Sequence, residues 1–125
     1  MMVKKFFTIA FLILVTACGG EIKNVSFAED VNPIIVENCL ICHNGEKGKG
    51  TLNFESYEKL ISSRYLNRSE SLVIEGDAAQ SRLYLVVNSN NPAIRMPPKI
   101  DGYNKLSGAE IKTIKVWINE GAQNN

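Results

Sequence analysis

Residues 39–43 read Cys-Leu-Ile-Cys-His, and no other stretch limits the chain so sharply. Two thiols three positions apart, with an imidazole directly behind them, serve three chemistries: covalent attachment of haem, a redox-active dithiol, or part of a zinc site. Each makes different demands on the rest of the chain. A dithiol of the thioredoxin kind belongs in a strand–helix–strand setting. Here the approach to Cys39 carries apolar residues at helical spacing, and no apolar strand run flanks it. A closed zinc site needs four ligands, yet His43 is the chain's single histidine, and Cys18 is the remaining cysteine. Three ligands inside five residues would also strain a tetrahedron. Haem attachment asks only for what is present. On a helical turn, residues three apart share a face, so each thiol can bond one vinyl group, and His43 follows as an axial ligand to the iron.

The first residues read as a leader, with an uncleaved N-terminal anchor as the alternative. Lys4 and Lys5 precede an apolar run, Phe6 to Val15, that ends in small residues before Cys18. This is the pattern of a secretory signal, and the run is shorter than the ~20 apolar residues of a spanning helix. "LVTAC", Leu14 to Cys18, resembles the lipobox of bacterial lipoproteins. The resemblance implies diacylglycerol on the Cys18 thiol, cleavage before Cys18 and acylation of the new amino terminus. The expected organisation is a signal peptide over 1–17, the lipidated cysteine and a polar linker over 18–26, and one domain over 27–125. The chain would then sit in the bacterial cell envelope, held on a membrane by its lipid and facing the periplasm or the outside. Losing Lys4 and Lys5 leaves 12 Lys and Arg against 13 Asp and Glu, and the formal charge moves from +1 to −1. That balance argues against a nucleic-acid partner, which calls for a basic excess. Export also means an oxidising compartment, where Cys39 and Cys42 must be paired, metallated or alkylated.

The rest of the chain predicts short helices joined by long loops. Ser26 with Glu29 has the form of a capping box, and Asn32–Pro33 that of an N-cap with proline in the first turn. The proline favours the later start, or a kink. Phe27, Val31, Ile34 and Ile35 would face the interior. "NGEKGKG", residues 44–50, is a glycine-rich loop lacking the context of a phosphate cradle. Leu52 and Phe54 alternate. Ser56 can cap a helix through Tyr57, Leu60 and Ile61. Asp77 with Gln80 marks another helix start, whose inner face is Leu83, Val86 and Val87. Ser107 with Glu110 opens a last helix that turns Ile111, Ile114, Trp117 and Ile118 inward and ends at Gly121. Loops this long are uncommon in a compact domain, and a large apolar cofactor at the centre would account for them.

An iron bound by His43 needs a sixth ligand or an open position. With the leader removed, Met96 is the sole methionine, in "IRMPPKI". Pro97 and Pro98 restrict the backbone and favour an extended course, which lowers the entropy cost of presenting the thioether sulfur. Ile34, Ile35, Leu83 and Trp117 are candidates for the pocket wall, and Lys47, Lys49 and Lys99 for its exposed edge.

Together these residues resemble a class I-type cytochrome c domain, in particular the short cytochrome c domains of planctomycete and related bacterial proteins. The stretches that carry the resemblance are "FAEDVNPIIVENCLICH", "GTLNFESYEKL", "IEGDAAQSRLYLVV", "RMPP" and "LSGAEIKTIKVWINEGA". It implies an all-α fold, three to four short helices with long loops around one covalently bound haem, the first and last helices crossing. It makes Cys39 and Cys42 the thioether positions, His43 the proximal ligand and Met96 the distal one. Two departures stand out. No proline lies between His43 and Pro92 to supply a carbonyl to the imidazole, and Ala78 stands where relatives often have proline. The expected role is a one-electron carrier and not an enzyme, with redox proteins of the envelope as partners and one haem c as cofactor. The rivals are an accessory haem subunit of a larger oxidoreductase and an open-iron haem enzyme or sensor.

Overall fold

The computed structural model describes residues 22–45, 48–100 and 102–125; the leader, Cys18 and Lys47 lie outside the described residues. Among the described residues the regular structure is all helical: α1 (Asn32–Asn38), α2 (Tyr57–Ser62), α3 (Arg82–Asn88) and α4 (Gly108–Asn119). A π-helical turn, Phe27–Val31, runs directly into α1. Two short 3-10 turns, Lys49–Thr51 and Tyr65–Asn67, punctuate the loops. The all-α expectation holds.

The first helix starts at Ser26, the earlier of the two candidate starts. The Ser26 Oγ accepts the amide of Glu29 at 3.2 Å. The return bond differs from the expected box: Asp30, not Glu29, accepts the Ser26 amide, at 2.8 Å. The cause is the wide turn. The Val31 amide donates to the Ser26 carbonyl five residues back at 3.2 Å, which brings Asp30 round over the cap. Pro33 gives a reason for the widening. Inside an α-helix its ring presses on the carbonyl four residues back and offers no N–H. A π turn just before it relieves that crowding while the helix continues to Asn38.

The expected linker is shorter than its composition suggests. Val25 is buried, and the Asn24 and Val25 amides donate to the two carboxylate oxygens of Glu120, each at 2.9 Å. Asn125 closes the clip. Its side-chain oxygen accepts the Phe27 amide at 2.8 Å, and its carbonyl accepts the Ala28 amide at 2.9 Å. Amides at a helix start have no partner within the helix, and here the other end of the chain supplies it. Under the clip lies an aromatic cluster. Phe27 stands 5.1 Å from Tyr57 and 5.5 Å from Trp117, centroid to centroid. The Trp117 indole N–H donates to the Gln123 carbonyl and the Tyr57 hydroxyl to that of Ala122, both at 2.9 Å. The rings are thus packed without orphaning their polar ends.

α4 carries the full capping box: Ser107 Oγ accepts the Glu110 amide, and Glu110 accepts the Ser107 amide. It ends as a Schellman motif, with Gly121 at φ +98° and the Ala122 amide bonded back to the Trp117 carbonyl at 2.8 Å. Ser56 caps α2 as expected. α3 starts later than expected. Asp77 accepts the Gln80 amide, but that bond closes a turn, and the helix begins at Arg82. Buried Ser81 holds this corner. Its Oγ accepts the Ile74 amide and donates to the Asp77 carbonyl, each at 2.8 Å. Ala78 is also explained, since its amide donates to Asn119 Oδ1 at 2.9 Å, a bond that proline lacks.

Trp117 is fully buried against both Phe27 and Tyr57. Trp117→Ala is expected to cost about 3–5 kcal/mol of stability, the range for truncating a large buried aromatic, read from denaturant unfolding.

Candidate functional site

α1 ends at Asn38, and Cys39 caps it with φ −120°. One further turn follows, in which the amides of Cys42 and His43 donate to the Cys39 carbonyl at 3.1 and 3.0 Å. That turn brings Cys39, Cys42 and His43 to the wall of one cavity of about 390 Å³. Its other walls are mainly apolar: Leu52 and Phe54 from the alternating stretch, Leu72, and Leu83, Val86 and Val87 from α3. Met96 and Pro97 of the long loop line it as well. Of the expected wall residues, Leu83 is present. Ile34, Ile35 and Trp117 are buried in the core and do not reach the cavity. Lys49 is at the cavity, while exposed Lys99 is not part of its lining.

The imidazole is held from behind. The Lys49 carbonyl lies 2.8 Å from His43 Nδ1. A carbonyl only accepts, so Nδ1 carries the proton and Nε2 keeps its lone pair. The Phe54 ring packs on the imidazole at 4.9 Å. Burial holds the His43 pKa below the ordinary value; the Lys49 carbonyl opposes this and the Lys49 charge adds to it. Burial thus favours the neutral ring, the state in which it can bind a metal.

This is the acceptor that sequence reasoning could not name, because it is a backbone group with no proline to mark it. The glycines were the available signal. At Gly48 a Cβ would run into the Leu52 carbonyl, and Gly50 sits at φ +71°. The Lys49 amide donates to the Cys42 carbonyl at 2.9 Å and the Phe54 amide to that of His43 at 2.8 Å, so the loop is tied to the motif at both ends.

Met96 is 37% exposed, and its amide donates to the Val86 carbonyl at 3.0 Å, which fastens the loop to α3. The loop is not extended as expected. The chain bends at Met96 and Pro97, joined by a cis peptide bond. Arg82, also at the cavity, lies over the Tyr65 ring at 4.2 Å, a pairing with no sequence signature.

The donor set separates the three readings of Cys39-Leu-Ile-Cys-His. A dithiol works through a thiolate of lowered pKa. The Cys39 thiol is instead pushed up to about 12, first by burial and then by Cys42. Among the described residues, no group of three His, Cys, Asp or Glu side chains is arranged to hold a metal ion alone. Haem fits. Two unpaired thiols and a neutral imidazole border an apolar cavity whose volume lies within the roughly 300–1,000 Å³ of cofactor sites.

A small all-α domain with this turn on the wall of a largely apolar cavity has the features that c-type haem attachment requires. Residues 39–99 match the family model described as Planctomycete cytochrome C, a match that supports a cytochrome c-like domain over that stretch. No curated protein and no solved structure matches the chain. Domains of this family imply haem c, typically serve electron transport and are typically extracytoplasmic. Among the described residues no helix is long and apolar enough to cross a membrane.

Gly48→Ala tests the support of the imidazole. The added methyl must displace the Leu52 carbonyl and the loop with it. We expect a stability loss of about 1–3 kcal/mol, typical of overpacking, and loss of the hydrogen-bonded His43 Nδ1 proton from the nitrogen-edited NMR spectrum.

Proposed function

We propose that this chain is a lipid-anchored, monohaem c-type cytochrome that passes single electrons in the bacterial cell envelope. The observation that carries the proposal is the sharing of one apolar cavity by Cys39, Cys42, His43 and Met96, with His43 Nε2 left free to bind. Cys39 and Cys42 would hold the haem through thioethers, and His43 and Met96 would be the axial ligands. The bound haem supplies a one-electron couple, which Met/His ligation sets high among haem sites.

The chain's own contribution is placement. The Lys49 carbonyl fixes the imidazole tautomer, and Phe54 fixes its plane. Leu52, Leu83 and Val87 keep water from the cavity wall. The Val86 carbonyl holds the loop that presents Met96. An open-iron enzyme would also need a distal acid or base, and the chain has no second histidine to provide one. Cys18 is the proposed acylation site, outside the described residues.

Two measurements test this. After denaturation in acid and organic solvent, the polypeptide mass should still include one haem; haem that separates from the chain sinks the covalent assignment. The oxidised protein should show the weak sulfur-to-iron band in the far red. Met96→Ala should abolish that band, open the iron to added ligands and lower the potential, while Met96→His should keep six-coordination and also lower the potential. An unchanged spectrum in Met96→Ala would make Met96 a packing residue.

A further inference from the structure

A second concavity, of about 880 Å³, lies on another side of α3. It is walled by Ile22 and Lys23 of the N-terminal segment, Tyr84 and Asn88 of α3, and α4 with the segment leading into it. Four lysines meet there, Lys23, Lys105, Lys112 and Lys115, against one carboxylate, Glu120. The two oxygens of Glu120 accept the Asn24 and Val25 amides, which fixes the carboxylate in place with its charge retained. Lys105 Nζ reaches neutral groups, the Asn88 carbonyl at 3.3 Å and Asn90 Oδ1 at 2.5 Å. Lys115 Nζ sits 5.8 Å from the Tyr84 ring centroid. Leaving Lys23 aside, Lys105, Lys112 and Lys115 still outnumber the Glu120 carboxylate, in a chain whose formal charge after cleavage before Cys18 is −1.

Its position relative to the cavity follows from helix geometry. Successive residues turn about 100° around an α-helix. Arg82, Leu83, Val86 and Val87 border the haem cavity, whereas Tyr84 and Asn88 border the groove. The two sets point roughly 150° apart around α3. The groove also lies where the N-terminal segment joins the body. Ile22 is half-buried in its wall, four residues after Cys18. Four extended residues span at most ~14 Å, so an acyl chain on Cys18 would keep this groove close to the bilayer.

We propose that the lysine groove seats the domain on anionic lipid headgroups, leaving the haem-cavity side of α3 turned away from the membrane. This rests on the lipid-anchored reading of Cys18. It adds to that reading an orientation: the lipid holds the domain near the surface, and the groove decides which side faces it. Lipid headgroups are favoured over an acidic protein because the tether brings the groove to them, and attraction of lysines to an anionic leaflet falls off within a Debye length.

The test uses the Cys18→Ser chain, loaded with haem and exported through an ordinary cleavable signal, so that no acyl chain contributes. It should cosediment with phosphatidylglycerol vesicles and not with phosphatidylcholine vesicles, and should be released by salt. Each lysine at an anionic surface is worth about fivefold in binding. Lys105→Gln/Lys112→Gln/Lys115→Gln should therefore bind at least tenfold more weakly, and Lys112→Gln/Lys115→Gln, which spares the Lys105 hydrogen bonds, by a smaller factor. Reduction by a neutral soluble reductant should proceed at the same rate on and off the vesicles. Equal binding to both vesicle types, or undiminished binding by the triple variant, overturns the proposal. Slower reduction on vesicles overturns the orientation. Retention on immobilised polyglutamate without vesicle binding overturns it in favour of an acidic protein. The mass of the wild-type chain reports acylation of Cys18 separately, so a failed anchor and a failed groove give different results.

Discussion

The hydrogen bond between His43 Nδ1 and the Lys49 carbonyl is the contact on which the site depends. It has a fixed direction, because a carbonyl can only accept. That direction makes Nε2 the available donor atom and sets the ring's rotation about its own bond to the chain. An imidazole free to turn would present either nitrogen, in either tautomer, and would lose entropy on binding. Here the loss is taken in folding. The tie is local, made by a loop that returns to the motif within six residues. Lys49 N–H to the Cys42 carbonyl and Phe54 N–H to the His43 carbonyl leave that loop little freedom. Gly48 allows the close approach that the return requires.

A loop can be this exact only if what it leans on is rigid. The rigid part is the joint between the two ends of the described chain. Glu120 and Asn125 take the amides that open the N-terminal segment and the first helix, and Phe27, Tyr57 and Trp117 fill the space beneath. The first helix thereby has a fixed position, and it delivers Cys39 at its end. A helix of α1's length would not hold in isolation. It persists because it continues a capped turn whose Val31, Ile34 and Ile35 are buried.

Much of this was legible in the sequence where the governing interaction is local. Capping at Ser56 and Ser107, the glycine stop at residue 121, and the inward faces of the first and last helices all follow from residues within one or two turns. The sequence stretch Cys39 to His43 likewise announced its own turn. What was missed involves partners far apart or backbone groups without a side-chain signature. The buried side of Val25 depends on Glu120, nearly the whole domain away. Asp77 reads as a helix cap, yet Ser81, bonded to Ile74 and Asp77, delays the helix to Arg82. Trp117, Ile34 and Ile35 have the right chemistry for a cofactor wall, but only the fold decides that they pack with each other's neighbours and that Leu83, Leu72 and Leu52 take the wall.

The long loops, which are costly in a small domain without a ligand, have a consistent account. Each is fastened to a helix by a backbone bond near the residue it carries: Lys49 to Cys42, and Met96 to Val86. The fastening points lie on either side of the same cavity lining, one beyond α1 and one on α3. A loop pinned in this way can carry a chemically useful atom without becoming a helix. The polar backbone it would otherwise leave unpaired is satisfied by the helix termini and carbonyls it crosses. α3 then does two things with about two turns of helix: its Leu83 and Val87 face closes the cavity, and Tyr84 with Asn88 forms part of a basic surface. A change in the angle of that helix would therefore shift the cavity wall and the Met96 loop together, because the Met96 amide is bonded to the Val86 carbonyl on it.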